Sequence, residues 1–217
     1  MNDYRAALVT GGTGRVGSAI AARLEADGFR VLAAGRRDGD VADPAAARAL
    51  VARAAAELGG LDLVVHAASD GFVPRPVEAV SEEDWDVAFG ATAKGSFFVA
   101  QAAAPHLRAS DLGLLVLVED VAAYQPWPSF APHCAAKAAQ AMLTRVLAKA
   151  LAPEVRVCGV APGPVAVEAG QEERRAAETV LGRVGSPEDV AGAVAYLVGA
   201  PFATGTSLVV DGGRLLR

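Results

Sequence analysis

The sequence predicts a doubly wound α/β domain on a mainly parallel sheet, and three observations carry that prediction. Short β-branched runs alternate with long alanine-rich segments, the pattern of strands joined by crossover helices. A glycine-rich run from Thr10 to Gly17 falls between the first strand-like segment and a helical pattern. The chain has 217 residues, 53% of them hydrophobic, which suffices for one domain spanning residues 1–217 with a full core.

The strands expected in order are Ala6 to Thr10, Arg30 to Ala34, Leu61 to Ala67, Leu114 to Val118, Val155 to Val160 and Ser207 to Val210. All are short, apolar and without alternation, as parallel strands buried on both faces must be. Between them the helices announce themselves at their starts. Asp43 before Pro44 reads as an N-cap and first helical position opening a helix to about Leu58, and Ser186-Pro187-Glu188-Asp189 repeats the signal. Ala93 to Leu107 and Cys134 to Leu151 are apolar over more than one helical face, which points to burial against a second copy, as in a homodimer or homotetramer, or to packing on the sheet alone. Glu168 to Glu178, with Gly170 among Gln, Glu and Arg residues, reads as a mobile insertion over a substrate.

Composition narrows the partners. A net charge of −5 with scattered basic residues leaves no footprint for nucleic acid or an anionic membrane. Met1 to Thr10 pass straight into a strand-like segment without a long apolar stretch, which suggests a cytosolic protein. Cys134 and Cys158 read as small apolar residues, and His66, His106 and His133 lack the spacing of metal ligands, so no metal is expected.

The run Thr10-Gly11-Gly12-Thr13-Gly14-Arg15-Val16-Gly17 between strand and helix lets backbone approach a pyrophosphate, with free N–H groups at the helix start. At the end of the second strand stands Gly35-Arg36-Arg37, where an acidic residue would accept from a ribose 2′-hydroxyl and an arginine would pair with a 2′-phosphate. That favours NADP(H) over NAD(H), with Arg36 and Arg15 as the phosphate ligands. Then follow Asp40-Val41, Ser129 to Lys137, Ala161-Pro162-Gly163, Arg183 to Ala191 and Val210-Asp211-Gly212-Gly213.

With these motifs in this order from residue 6 to the C-terminus, the chain resembles the short-chain dehydrogenase/reductase family. The resemblance implies a Rossmann fold and cofactor contacts from Thr10, Gly11, Arg15, Val16, Gly17, Arg36, Asp40, Val41, Ala67, Lys137, Pro162, Gly163 and Val165. It also exposes departures. Few residues separate Arg37 from Asp40 where relatives insert a helix and start another strand, so the sheet edge should be trimmed after the second strand. His66-Ala67-Ala68-Ser69 stands for Asn-Asn-Ala-Gly, and Val167 for a cofactor-binding threonine.

The family's catalytic Tyr-x-x-x-Lys is here His133-x-x-x-Lys137, its serine is Asp120 and its asparagine Thr92. Arg15, Ser69 and Asp120 resemble the pteridine reductase branch. The spacing of four keeps His133 and Lys137 on one helix face. Imidazole titrates at about 6.5 and phenol at about 10, so a histidine can exchange protons near neutrality with little tuning. It is also shorter than tyrosine. Tyr124 is a candidate displaced donor, and Trp127 and Phe130 are candidate walls for a planar substrate. Three functions fit: an NADP(H)-dependent reductase of a carbonyl or imine, pterin-like in one version; a silent dinucleotide-binding protein; and a non-redox acid/base enzyme using His133 and Asp120.

Overall fold

The computed structural model describes residues 4–217; Met1 to Asp3, the start of the segment read as leading into the first strand, lie outside the described residues. In chain order the elements are β1 Arg5–Thr10, α1 Arg15–Ala26, β2 Phe29–Ala34, α2 Pro44–Leu58, β3 Leu63–His66, α3 Glu82–Phe89, α4 Gly95–Arg108, β4 Leu114–Val118, α5 Ala131–Leu151, β5 Arg156–Pro162, α6 Glu172–Ala176, α7 Pro187–Val198 and β6 Ser207–Val210. All six expected strands form, the third starting two residues late, and they pair in parallel in the order β2-β1-β3-β4-β5-β6.

The period-two alternation of a strand divides the core into two layers. Ala6, Leu8, Val64, Leu115 and Leu117 face α2, α4 and α5, while Ala7, Val9, Val65, Val116 and Val160 face α1 and α7. Helix starts follow the expected chemistry. The Asp43 side chain accepts from the Ala45 N–H at 2.7 Å ahead of Pro44, and Asp189 reaches back to the Ser186 N–H at 2.9 Å.

The sheet edge is trimmed as expected. After β2 a single 3-10 turn, Arg36 to Asp38, leads through Val41 to the cap of α2, so among the described residues β2 has no outer neighbour and the sheet has six strands. Between α3 and α4 the chain widens into a π turn from Gly90 to Lys94, which carries Thr92 into the interior. The segment Glu168 to Glu178 holds the short helix α6 and is tied by Glu178, which accepts from both Arg175 and Arg214. Among the described residues no helix is long and apolar enough to cross a membrane, and no group of three ligating side chains could hold a metal ion.

Candidate functional site

Parallel strands deliver their C-terminal ends to one rim, where an open α/β sheet binds ligands beside the strand at which the order reverses. Here that strand is β1, flanked by β2 and β3. Its turn fits a closely approaching backbone. Gly11 takes φ +70°, and a Cβ there would sit 2.6 Å from the Ala67 carbonyl carbon. At Gly17 an added Cβ would lie 2.2 Å from the Gly11 oxygen, so the first turn of α1 presses directly on the loop. Beside it opens a cleft of about 250 Å³ lined by Thr10, Gly11, Arg36, Asp40, Val41 and Ala67, six of the residues expected to touch a dinucleotide.

Gly17→Ala is therefore expected to abolish nucleotide binding, because only backbone atoms could yield to the new methyl group, at a cost of about 1–3 kcal/mol or more. Nicotinamide fluorescence titration and a melting curve read both effects.

Other expected cofactor residues do not line that cleft. Arg15 donates from Nη1 to the Val167 carbonyl at 3.0 Å, in the loop after β5. Val165 lines a second cavity of about 390 Å³ with Pro164, Val180, Asp211 and Leu216. Pro162 ends β5, and Gly163 donates to the Val210 carbonyl at 2.9 Å with no room for a side chain against Asp211. Val16 sits half-buried in the first turn of α1.

His66 has a structural place. Its Nε2 lies 2.9 Å from the Ala91 carbonyl, which can only accept, so the ring proton is on Nε2 and Nδ1 accepts from Thr10 Oγ1 at 2.9 Å. Complete burial, with a smaller effect from Lys137, pushes its pKa down to about 4 and keeps it neutral. It ties the glycine-rich turn to the π turn.

At the ends of β4 and α5 the expected catalytic residues converge. His133 is 4% exposed, with Nε2 3.4 Å from Asp120 Oδ2, a long contact. Among the described residues its Nδ1 is a buried nitrogen with no hydrogen-bond partner. An N–H there would lack an acceptor, so the ring proton belongs on Nε2, facing Asp120. One turn later, Lys137 Nζ donates to the Val118 carbonyl at 2.9 Å and to Gln140 Oε1 at 3.0 Å. Burial lowers its pKa to about 8 against the opposing pull of Asp120 and Glu119. Gln140 Nε2 donates to Ser96 Oγ at 2.8 Å and Ser96 donates to the Thr92 carbonyl at 2.6 Å, while the Thr92 hydroxyl meets Ser69 at 3.2 Å. Where the family has an asparagine, a side-chain network thus joins Thr92 to the lysine.

Aromatic rings close over this group. Ring centroid to ring centroid, Phe72 stacks on Phe130 at 4.5 Å and meets the His133 ring nearly perpendicular at 5.0 Å, and Trp127 lies parallel to that ring at 6.5 Å. Arg214 stands over Trp127 at 5.0 Å. Trp127 and Phe130, the candidate walls, pack beside His133. Tyr124 is not its donor: the hydroxyl donates to Glu119 Oε2 at 2.9 Å.

Phe72, Gln140, Glu119 and Arg214 escaped the sequence reading. Gln140 could have been found, since three residues after Lys137 is the same helix face. Phe72 sits in an irregular loop, and Arg214 arrives from the far end of the chain; neither leaves a local signal.

Comparison with known proteins agrees with this architecture. The family model described as enoyl-(acyl carrier protein) reductase matches residues 18–214. A 4-formylbenzenesulfonate dehydrogenase of Comamonas testosteroni is 36% identical over 98% of this chain and 98% of its own. The human dehydrogenase/reductase SDR family member 4 is 32% identical over 98% of this chain and 88% of its own. A crystal structure of a short-chain dehydrogenase from Burkholderia cenocepacia in complex with NADP superimposes with a TM-score of 0.90 at 30% identity, covering 97% of this chain and 98% of that one. With the glycine-rich turn, the parallel sheet and this similarity over nearly its whole length, the chain belongs to the short-chain dehydrogenase/reductase family of oxidoreductases.

Proposed function

We propose that the protein is an NADP(H)-dependent oxidoreductase that reduces a carbonyl or imine group and that Lys137, Asp120 and His133 carry the reaction. The observation that supports it most is the meeting of all three at the rim that also holds the glycine-rich turn. The cofactor, when bound, supplies a hydride to the electrophilic carbon of the substrate. Lys137 holds the ribose next to it, and Thr92 supports the lysine through Ser96 and Gln140. The Nε2–H of His133, which faces Asp120, orients that carboxyl toward the substrate oxygen or nitrogen on which negative charge grows. The proton that completes the product comes from solvent through Asp120, whose side chain is 24% exposed. Arg36 pairs with the 2′-phosphate.

A catalytically silent dinucleotide-binding protein is the second reading. It is favoured by Phe72, whose ring covers His133. Both readings place the chain in the cytoplasm as a homo-oligomer, with the exposed Phe97, Met142 and Val146 of α4 and α5 as the contact.

Titration with NADPH and NADH, followed by a screen of carbonyl, imine and pterin compounds, tests the first reading. His133→Phe is expected to lower turnover by about 10²- to 10⁴-fold while nucleotide affinity stays. Nucleotide binding without turnover by the wild type would leave the silent reading standing.

A further inference from the structure

The sheet order sets a constraint on how a nucleotide enters. Arg36 follows β2 and Asp70 follows β3, and β1 with its glycine-rich turn lies between those strands. The two side chains form an ion pair. That pair joins Arg36, which lines the cleft beside the turn, to Asp70, next in sequence to Ser69 of the same lining, and so links the two sides of the place where the turn would seat a dinucleotide.

Asp70 is held to this task by its own backbone. Its Oδ1 accepts from the Gly71 N–H at 3.1 Å. Gly71 takes φ +74° and packs so closely on α3 that a Cβ would lie 2.7 Å from Ala88 Cα. The carboxylate that pairs with Arg36 is held by a constrained turn.

We propose that Asp70 stands in for the cofactor's 2′-phosphate on Arg36, so that seating any dinucleotide costs the pair, a cost that lowers affinity for NADH outright and that the 2′-phosphate of NADPH offsets on the freed arginine. Any dinucleotide seated on the turn separates Arg36 from Asp70. NADPH returns an anion to the arginine, with bidentate geometry available to the guanidinium. NADH returns none. The inference rests on the cofactor reading above.

A double-mutant cycle separates the cost of the pair from a mere field of charge. Dissociation constants for NADPH and NADH are measured at fixed ionic strength for wild type, Asp70→Asn, Arg36→Gln and the double variant. Both side chains are well exposed, 66% and 38%, so the fold is expected to survive, which melting curves check. Asp70→Asn is expected to tighten NADH by about three- to fivefold, the value of an exposed pair. In the Arg36→Gln background the same change should do nothing for NADH, since no pair is left to break. An equal effect of Asp70→Asn in both backgrounds, or no effect in either, overturns the proposal. Binding of neither nucleotide by any of the four proteins is a different result: it removes the cofactor reading, and this inference with it.

Discussion

Gly159→Ala is expected to destabilise the fold by about 3–5 kcal/mol, the cost of leaving a buried charge without its partners. Gly159 lies inside β5, and an added Cβ would stand 2.0 Å from Glu119 Oε1 and 2.7 Å from Ser207 Oγ. Glu119 is 2% exposed. Its carboxylate accepts from Thr144 Oγ1 at 2.6 Å, Ser207 Oγ at 3.0 Å and the Tyr124 hydroxyl at 2.9 Å. Three hydroxyls from α5, β6 and the loop after β4 satisfy one anion, and the new methyl group would take the anion's place. Urea unfolding followed by circular dichroism measures the loss. If the mechanism is right, Glu119→Ala in the same chain restores part of it by vacating the space, and Thr144→Val alone costs about 1–3 kcal/mol through one lost donor. Equal destabilisation with and without Glu119 would mean that the strand itself cannot take the methyl group.

Lys137→Met should reduce turnover by about 100-fold or more, on the scale of a lost group acting in the transition state. The same substitution tests the buried cation by pH. The folded-state pKa is about 8 and the ordinary value 10.5, so between them the unfolded chain holds a proton that the folded chain has released. Stability contributed at this position therefore rises as pH climbs from about 8 toward 10.5, and below 8 the full cost of burying an ammonium is present. The interval corresponds to about 3 kcal/mol. Unfolding free energies of wild type and Lys137→Met, measured from pH 7.5 to 10, should converge or cross in favour of wild type as pH rises. Parallel curves would show that Lys137 does not titrate in this range.

Much of this architecture could be read from residues alone, for physical reasons. A parallel strand buried on both faces needs an uninterrupted apolar run, and an α/β turn at a ligand needs glycine where backbone meets backbone, as at Gly11 and Gly17. Asp43-Pro44 and Ser186-Pro187 name their helix starts because capping is local chemistry. The shortness of the link from Arg37 to Asp40 leaves no room for another strand. What stayed hidden depends on contacts between distant segments. Nothing local in Asp120 or His133 tells that Phe72 lies over the imidazole or that Nδ1 has no partner. Glu119 beside Asp120 gave no hint that successive residues point to different tasks, one into the site and the other into a cradle of hydroxyls. Tyr124 stands only four residues after Asp120, yet its orientation is decided by Glu119.

The missing neighbour of β2 has a cost that concerns the chain's company rather than its chemistry. From Phe29 to Ala34 the outer side of the strand offers backbone donors and acceptors to water, the kind of border onto which a stray extended segment can zip. The guards along it are few. Arg30 holds its guanidinium over the Tyr4 ring at 4.4 Å, keeping a charge near the start of the strand, and the turn Arg36 to Asp38 puts more charge at its other end. With β2 at the edge of the sheet, those charges are what the fold sets against pairing with another extended chain.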